Sequence, residues 1–357
     1  MQLSVLDLIS VRTGQTTADS LRASREMAET ADRLGFTRYW VAEHHNTDSV
    51  ASTSPAVELM YLGQDTHQIR LGSGGVMLPN HAPLAVAEQF SLLTAVYGDR
   101  IDLGIGRAPG TDPITSAAIR GQLAGGHFVD ADGRPVDSVR EFPRNVTDIL
   151  TLLNPEGAEV RLPHGRTYHL RAAPDIQQSP QVWLLGSSDY SAQLAAALGL
   201  PYVFAHHFSG RGTRQALDLY RGSFQPTDNG EAPRTFVTVN VCVAETADEA
   251  WELVEPHLYT MAKFSTGGGL SPSPFVGADV KRLLTDDLRR AAQPTLDTWA
   301  VGNPDEVAHQ LRETAAEFGV DEIMVHPVQG AYEGDAADRW PAKVRGFELL
   351  AEALLDS

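Results

Sequence analysis

The sequence predicts a (β/α)8 TIM barrel with insertions at its carboxyl-terminal face, and three observations predict it. A unit of amphipathic helix, glycine and short β-rich run recurs along the chain, and eight apolar runs have strand character. Some of these runs also stop abruptly at ionisable or glycine-rich residues. The clearest is Tyr39-Trp40-Val41-Ala42, which ends in Glu43-His44-His45. Parallel barrels gather their chemistry at such strand ends, because the loops leaving them converge on one mouth.

In chain order, the expected strands are 3–8, 38–42, 69–72, 101–104, 182–185, 202–205, 236–243 and 322–325. Leu34-Gly35-Phe36 closes a helix ahead of the second, Leu198-Gly199-Leu200-Pro201 ahead of the sixth, and Phe318-Gly319-Val320 ahead of the eighth. Each glycine suits the left-handed position that follows a helix end. Pro83 opens the helical run to Val96, and Asn303-Pro304-Asp305-Glu306 offers a cap, a first-turn proline and a reciprocal glutamate. The apolar run Val239-Asn240-Val241-Cys242-Val243 reads as a buried strand. A doubly wound open sheet is the alternative architecture, since element counts do not distinguish closure from an open edge. The chain's 357 residues exceed the roughly 250 of a plain barrel. We therefore expect one domain over 1–357 with insertions at about 111–137 and 265–293, the second beginning Ser265-Thr266-Gly267-Gly268-Gly269. Long loops at a barrel mouth usually act as lids.

Composition narrows the function. Hydrophobic residues make up 42% of the chain, ample for a buried core, and the formal charge of -18 argues against nucleic acid as a partner. The lone Cys242 forms no internal disulfide, which fits a reducing cytoplasm. No signal peptide or membrane span is legible, so a membrane partner is not expected. The chain has only three lysines, Lys263, Lys281 and Lys343, a bias read as background composition.

Four stretches carry candidate chemistry. His44 and His45 are adjacent and point to opposite sides of an extended chain, so they do not share a metal from the strand; no metal is expected. His206-His207 repeats that arrangement, and no His-x-His or His-Glu-x-x-His occurs. One imidazole of the first pair is expected to face the mouth as a base or hydrogen-bond donor. Gly72-Ser73-Gly74-Gly75 ends a strand in glycines that let a flat ligand approach the backbone. Gly104-Ile105-Gly106-Arg107 fails the dinucleotide fingerprint on spacing, leaving Arg107 as an anion contact. Gly186-Ser187-Ser188-Asp189-Tyr190-Ser191 aims hydroxyls and free N–H groups from a helix start, a phosphate cradle. No Walker loop accompanies it.

Together these stretches resemble the bacterial luciferase-like flavin monooxygenases, most closely the single-chain bacterial subgroup some of whose members tailor polyketides in antibiotic biosynthesis. The resemblance rests on Val41-Ala42-Glu43-His44-His45, Gly72 to Pro79, Leu78-Pro79-Asn80-His81-Ala82-Pro83, Gly104-Ile105-Gly106-Arg107, and Gly186-Ser187-Ser188 through Ser191 to Pro201. It implies His44 as the catalytic histidine and a cis peptide joining Gly74 to Gly75 beneath the flavin. It also implies Arg107, Arg140, Gly186, Ser187, Ser188 and Ser191 around the flavin phosphate, and a mobile lid at 265–293. Gly106 stands where luciferase has a cysteine, and Ser187 where it has a glutamate; both departures count against light emission. The implied chemistry is oxygen insertion. Reduced FMN from a separate NAD(P)H:flavin reductase would react with O2 to give a C4a-hydroperoxide, which oxygenates a small organic substrate. A homodimer is implied as well. The rival readings are an F420-dependent hydride-transfer enzyme and a flavin-binding protein without catalysis.

Overall fold

A computed structural model describes residues 1–122, 139–174, 178–227 and 232–355. Its strands in chain order are β1 (Gln2–Asp7), β2 (Arg38–Val41), β3 (Arg70–Ser73), β4 (Val76–Met77), β5 (Ile101–Gly106) and β6 (Ala158–Arg161). They continue as β7 (Thr167–Leu170), β8 (Gln181–Gly186), β9 (Tyr202–Phe204), β10 (Thr235–Val243), β11 (Trp299–Gly302) and β12 (Glu322–Pro327). The eight expected strands are all present and close a parallel barrel in the order β1, β2, β3, β5, β8, β9, β10, β12. Closure is made by β10, which pairs with β9 at Thr235 to Val237 and with β12 from Val237 onward.

The helices form where the sequence marks them. Asn303 and Glu306 make a reciprocal capping box on Pro304–Phe318, and Thr16 with Asp19 makes another on Thr17–Arg33. Gly35, Gly199 and Gly319 sit at φ +84, +63 and +60° after their helices. Along Thr17–Arg33, Ala23, Met27, Ala28 and Ala31 are buried at helical spacing, so that one face lies against the barrel.

Two features depart from expectation. β11 lies beside the carboxyl half of β10, pairing Trp299 with Asn240 and Gly302 with Val243, outside the closed eight. β6 and β7 form an antiparallel hairpin. Most of the hairpin's side chains are exposed, so its sequence has no alternation of apolar and polar residues to read. The insertions also carry helices: Pro113–Ile119 in the first, Ala278–Leu283 and Asp286–Leu296 in the second. The rest of the first insertion, 123–137, lies outside the described residues.

Strand alternation sets the barrel interior. Ser4 and Leu6, Arg38 and Trp40, Phe236 and Thr238, and Glu322, Met324 and His326 occupy every second position, and these side chains face inward in successive layers. Leu6, Trp40, Trp183, Val203, Phe236 and Met324 fill the middle layer. The ring of Trp40 meets Trp183 and Phe236 edge-on at 5.7 and 5.4 Å. Gly72 allows this, since a Cβ there would lie 2.5 Å from Trp40 Nε1. Below this plug the barrel is sealed; above it, a cavity opens.

Candidate active site

The same alternation that points Trp40 inward carries Ala42 and His44 to the interior and turns Glu43 and His45 away. Glu43 is 1% exposed, and His45 Nε2 and His81 Nε2 both sit on its Oε1, at 2.7 and 2.6 Å, while Met77 N–H donates to Oε2 at 3.0 Å. Burial alone would raise this carboxyl's pKa, but the three donors outweigh it and hold it at about 2. The ligand atoms of Glu43, His45 and His81 lie within 4.8 Å of one another. The Glu43–His45 and Glu43–His81 distances are those of hydrogen bonds, and the result is a clamp tying the loop after β2 to β4 and the turn beyond it.

His44 is thereby held over the cavity. Its backbone N–H donates to Ser52 O at 2.8 Å, and its ring Nδ1 is buried with no hydrogen-bond partner. Burial lowers the pKa of the imidazole and the charge of Glu43 offsets only part of that, leaving the ring neutral near pH 7.

The cavity holds about 500 Å3 and brings together His44, Gly74, Gly75, Arg107, Gly186, Ser187, Ser188 and Ser191. The peptide between Gly74 and Gly75 is cis. Gly75 and Gly104 are packed too closely for side chains, a Cβ on Gly75 falling 2.8 Å from Gly104 O, so this wall is bare backbone. Ser188 occupies the N-cap position of Asp189–Ala197, yet its side chain makes no capping hydrogen bond. Arg107 lies over the ring of Tyr190, 4.3 Å from its centroid, which brings the guanidinium to the same helix start. A Cβ on Gly186 would collide with Ser191 Oγ, so that glycine lets the hydroxyl lie against the strand end. Arg140 is exposed and does not line the cavity, although its neighbour Val139 does.

Several lining residues were given no role by the sequence reading, His207 among them although its pair with His206 was noted. His326 Nδ1 meets Asn240 Oδ1 at 2.7 Å, and Asn240 Nδ2 donates to His207 O at 3.0 Å, which fixes the amide so that Nδ1 of His326 carries the proton. His207 Nδ1 hydrogen-bonds Thr238 Oγ1. His257 lies 5.4 Å from the His326 ring. Burial drives the pKa of His207 and of His257 to about 3 and that of His326 well below the usual range, so these imidazoles are neutral. His326 ends a strand as His44 follows one, a signal available in the sequence. His257 lies inside the helix Ala247–Ser265 with no such signal.

The family model of the luciferase-like monooxygenases matches residues 1–322 of this chain. The chain belongs to that family. It is 38% identical to a luciferase-like monooxygenase of Escherichia coli, over 98% of this chain and 96% of the relative. It is also similar to the structure of apo-MsnO8, with a TM-score of 0.84, 34% identity and coverage of 100% of this chain and 99% of that one. Two more distant structures share the fold alone. One is the FMN-bound oxygenating constituent of 3,6-diketocamphane monooxygenase from Pseudomonas putida, at TM-score 0.70 and 17% identity, covering 99% of this chain and 97% of that one. The other is an F420-dependent secondary alcohol dehydrogenase, at TM-score 0.65 and 14% identity, covering 99% and 98%. Family membership supports monooxygenase activity; both flavin and deazaflavin enzymes use the barrel. Among the described residues of this luciferase-like chain, no helix is long and apolar enough to cross a membrane.

Proposed function

We propose that this chain is the oxygenating component of a two-component flavin monooxygenase, using reduced FMN from a separate NAD(P)H:flavin reductase and O2 to oxygenate a small organic substrate. The observation that carries the reading is the cavity itself, which brings His44 together with a bare glycine wall and an Arg107–serine donor set. Those residues fit a flat ring system ending in a phosphate. Arg107, Ser187, Ser188 and Ser191, with the free N–H groups of the helix start, would hold the phosphate, and Gly74-Gly75 would face the ring. Arg140 lies outside the lining.

Reduced FMN, when bound, supplies the electrons that activate O2 for insertion. The chain's own part is orientation, proton control and exclusion of water. His44, neutral and lining the cavity, is placed to hold or move a proton at the reacting centre. His207, His257 and His326, neutral and tied to Thr238 and Asn240 or packed on one another, line the cavity without adding charge. The segment after Ala247–Ser265 brings Gly269, Leu270 and Ser271 over the mouth, consistent with a lid. Absence of a dinucleotide fingerprint supports a separate reductase. Val57, Leu92 and Val96, exposed on the neighbouring helices Pro55–Leu62 and Pro83–Tyr97, support a homodimer.

The test is anaerobic titration with reduced FMN and, separately, reduced F420, followed by mixing with oxygenated buffer and measurement of H2O2. Tight binding of reduced FMN, with H2O2 appearing more slowly than from free flavin, is expected. Preference for F420, without protection from oxygen, would replace the proposal with hydride transfer.

A further inference from the structure

A second chamber of about 1080 Å3 adjoins the flavin-facing cavity and shares His44, Met77, Phe208, His257, Met261 and His326 with it. Its wall is largely apolar, and among its described lining residues Lys343 is the sole lysine or arginine. Lys343 is 3% exposed. Its Nζ lies 4.0 Å from the centroid of the Trp340 ring and has no hydrogen-bond acceptor among the described residues. The carboxylate that acts on it, Asp7, is already engaged by the Tyr39 hydroxyl at 2.6 Å and the Ile9 N–H at 2.8 Å.

Arg12 flanks the same indole, 5.6 Å from the Trp340 ring, but donates its Nη2 to the carbonyls of Asp335 and Ala336 at 3.1 and 2.5 Å. It adds positive potential without neutralising Lys343. Trp340 Nε1 donates to the Gln329 carbonyl at 3.0 Å, which brings Gln329 into this wall, and Gln329 Oε1 is buried with no donor. A buried ammonium with no hydrogen-bond acceptor is unfavourable unless something from outside completes it.

We propose that Lys343 receives the anionic group of the organic substrate, a carboxylate. The substrate of the monooxygenase proposed above, on which this inference rests, is then an amphiphilic organic acid. Its acid end sits at Lys343 on Trp340, and its apolar body runs past Met261 and Phe208 toward His44. Burial lowers the pKa of Lys343 to about 8, which still leaves it a cation near neutral pH. Its charge has no ion-pair partner among the described residues, whereas Arg12 Nη1, itself without a hydrogen bond, has Asp335 Oδ2 at 3.8 Å.

The experiment is calorimetric titration of the whole protein, without flavin, with octanoate and with octanol. Octanoate should bind at least about tenfold more tightly. Lys343→Met, which keeps the apolar bulk, should abolish that preference without lowering Tm, and Lys343→Arg should retain it. Equal binding of the two probes, binding of neither, or a preference that survives in Lys343→Met overturns the assignment. Reduced-FMN affinity is measured on the same variants. An unchanged value is expected, and a loss in Lys343→Met would assign the cation to the cofactor and overturn the substrate proposal. A Lys343-dependent octanoate preference in a protein that fails to bind reduced FMN would leave this site standing while the flavin reading fell.

Discussion

The two ends of the barrel handle buried charged groups in different ways. At the amino end, Arg38 donates Nε and Nη2 to Glu322 at 2.6 and 3.0 Å and Nη1 to Asp102 at 2.9 Å. Arg70 and the Trp40 indole N–H complete Asp102, and the Ser4 hydroxyl completes Glu322. The Arg38 guanidinium also stacks on Trp183, 4.7 Å from its centroid. At the carboxyl end, His44 Nδ1 and Gln329 Oε1 have no partner and Lys343 Nζ meets only a ring face. A buried charge is costly unless paired, so the paired charges of the amino end read as structure, although Trp183 Nε1 and Thr235 Oγ1 there have no partner, and the unpaired ammonium at the other end reads as a place for ligands. Glu43 sharpens the rule. It sits at the carboxyl end but faces away from the cavity, and it is fully satisfied.

Breaking the amino-end network should give the largest effect. Arg38→Met leaves Glu322 without a cation and Asp102 with Arg70 alone, and should destabilise by about 3–5 kcal/mol in urea unfolding, with little change in flavin affinity of the folded fraction. A loss under 1 kcal/mol would mean that the network is not the seal described. At the other end, Arg107→Ala should leave unfolding nearly unchanged while weakening FMN by about 1.5–3 kcal/mol in fluorescence titration, the worth of a charged hydrogen bond. Equal affinity would remove Arg107 from the phosphate site.

Octanoate affinity should hold between pH 6 and 7.5 and fall by about tenfold from pH 7 to 9, as Lys343 loses its proton near pH 8. The sign follows from the charge: the carboxylate stays ionised throughout, and only protonated lysine attracts it. Of the groups facing Lys343, namely Asp7, Arg12, His257 and His326, the two imidazoles are already neutral at pH 7. A flat profile in isothermal titrations would separate binding from that ammonium. His44→Ala should change stability by less than about 1 kcal/mol, because no hydrogen bond of the ring is lost. That variant should nonetheless divert turnover from product to H2O2, read by peroxidase-coupled assay. Unchanged coupling would take His44 out of the chemistry.

The strands and helix stops were legible because they follow from local rules: apolar runs form buried strands, and glycine follows helix ends in the left-handed region. β11 was not legible, being four residues with no glycine stop before it. The hairpin was not, because a two-sided exposed strand has no hydrophobic signature. His44 was readable as an ionisable residue where a strand stops, and the serines as donors at a helix start. Arg140 was named from the resemblance alone, and the structure does not bring it to the cavity.

By itself the sequence determined the alternation of helix and strand, the eight runs that become the barrel, and the chemical character of the residues at its mouth. Period-two and period-3.6 patterns, caps and turn residues act within a few positions along the chain. Only the tertiary structure decided that His257 from a helix, His326 from the last strand and Lys343 from the final helix share one cavity system with His44. Barrel closure brings together residues some 300 positions apart. Which polar atoms are left without partners is a property of that packing, and no local pattern encodes it.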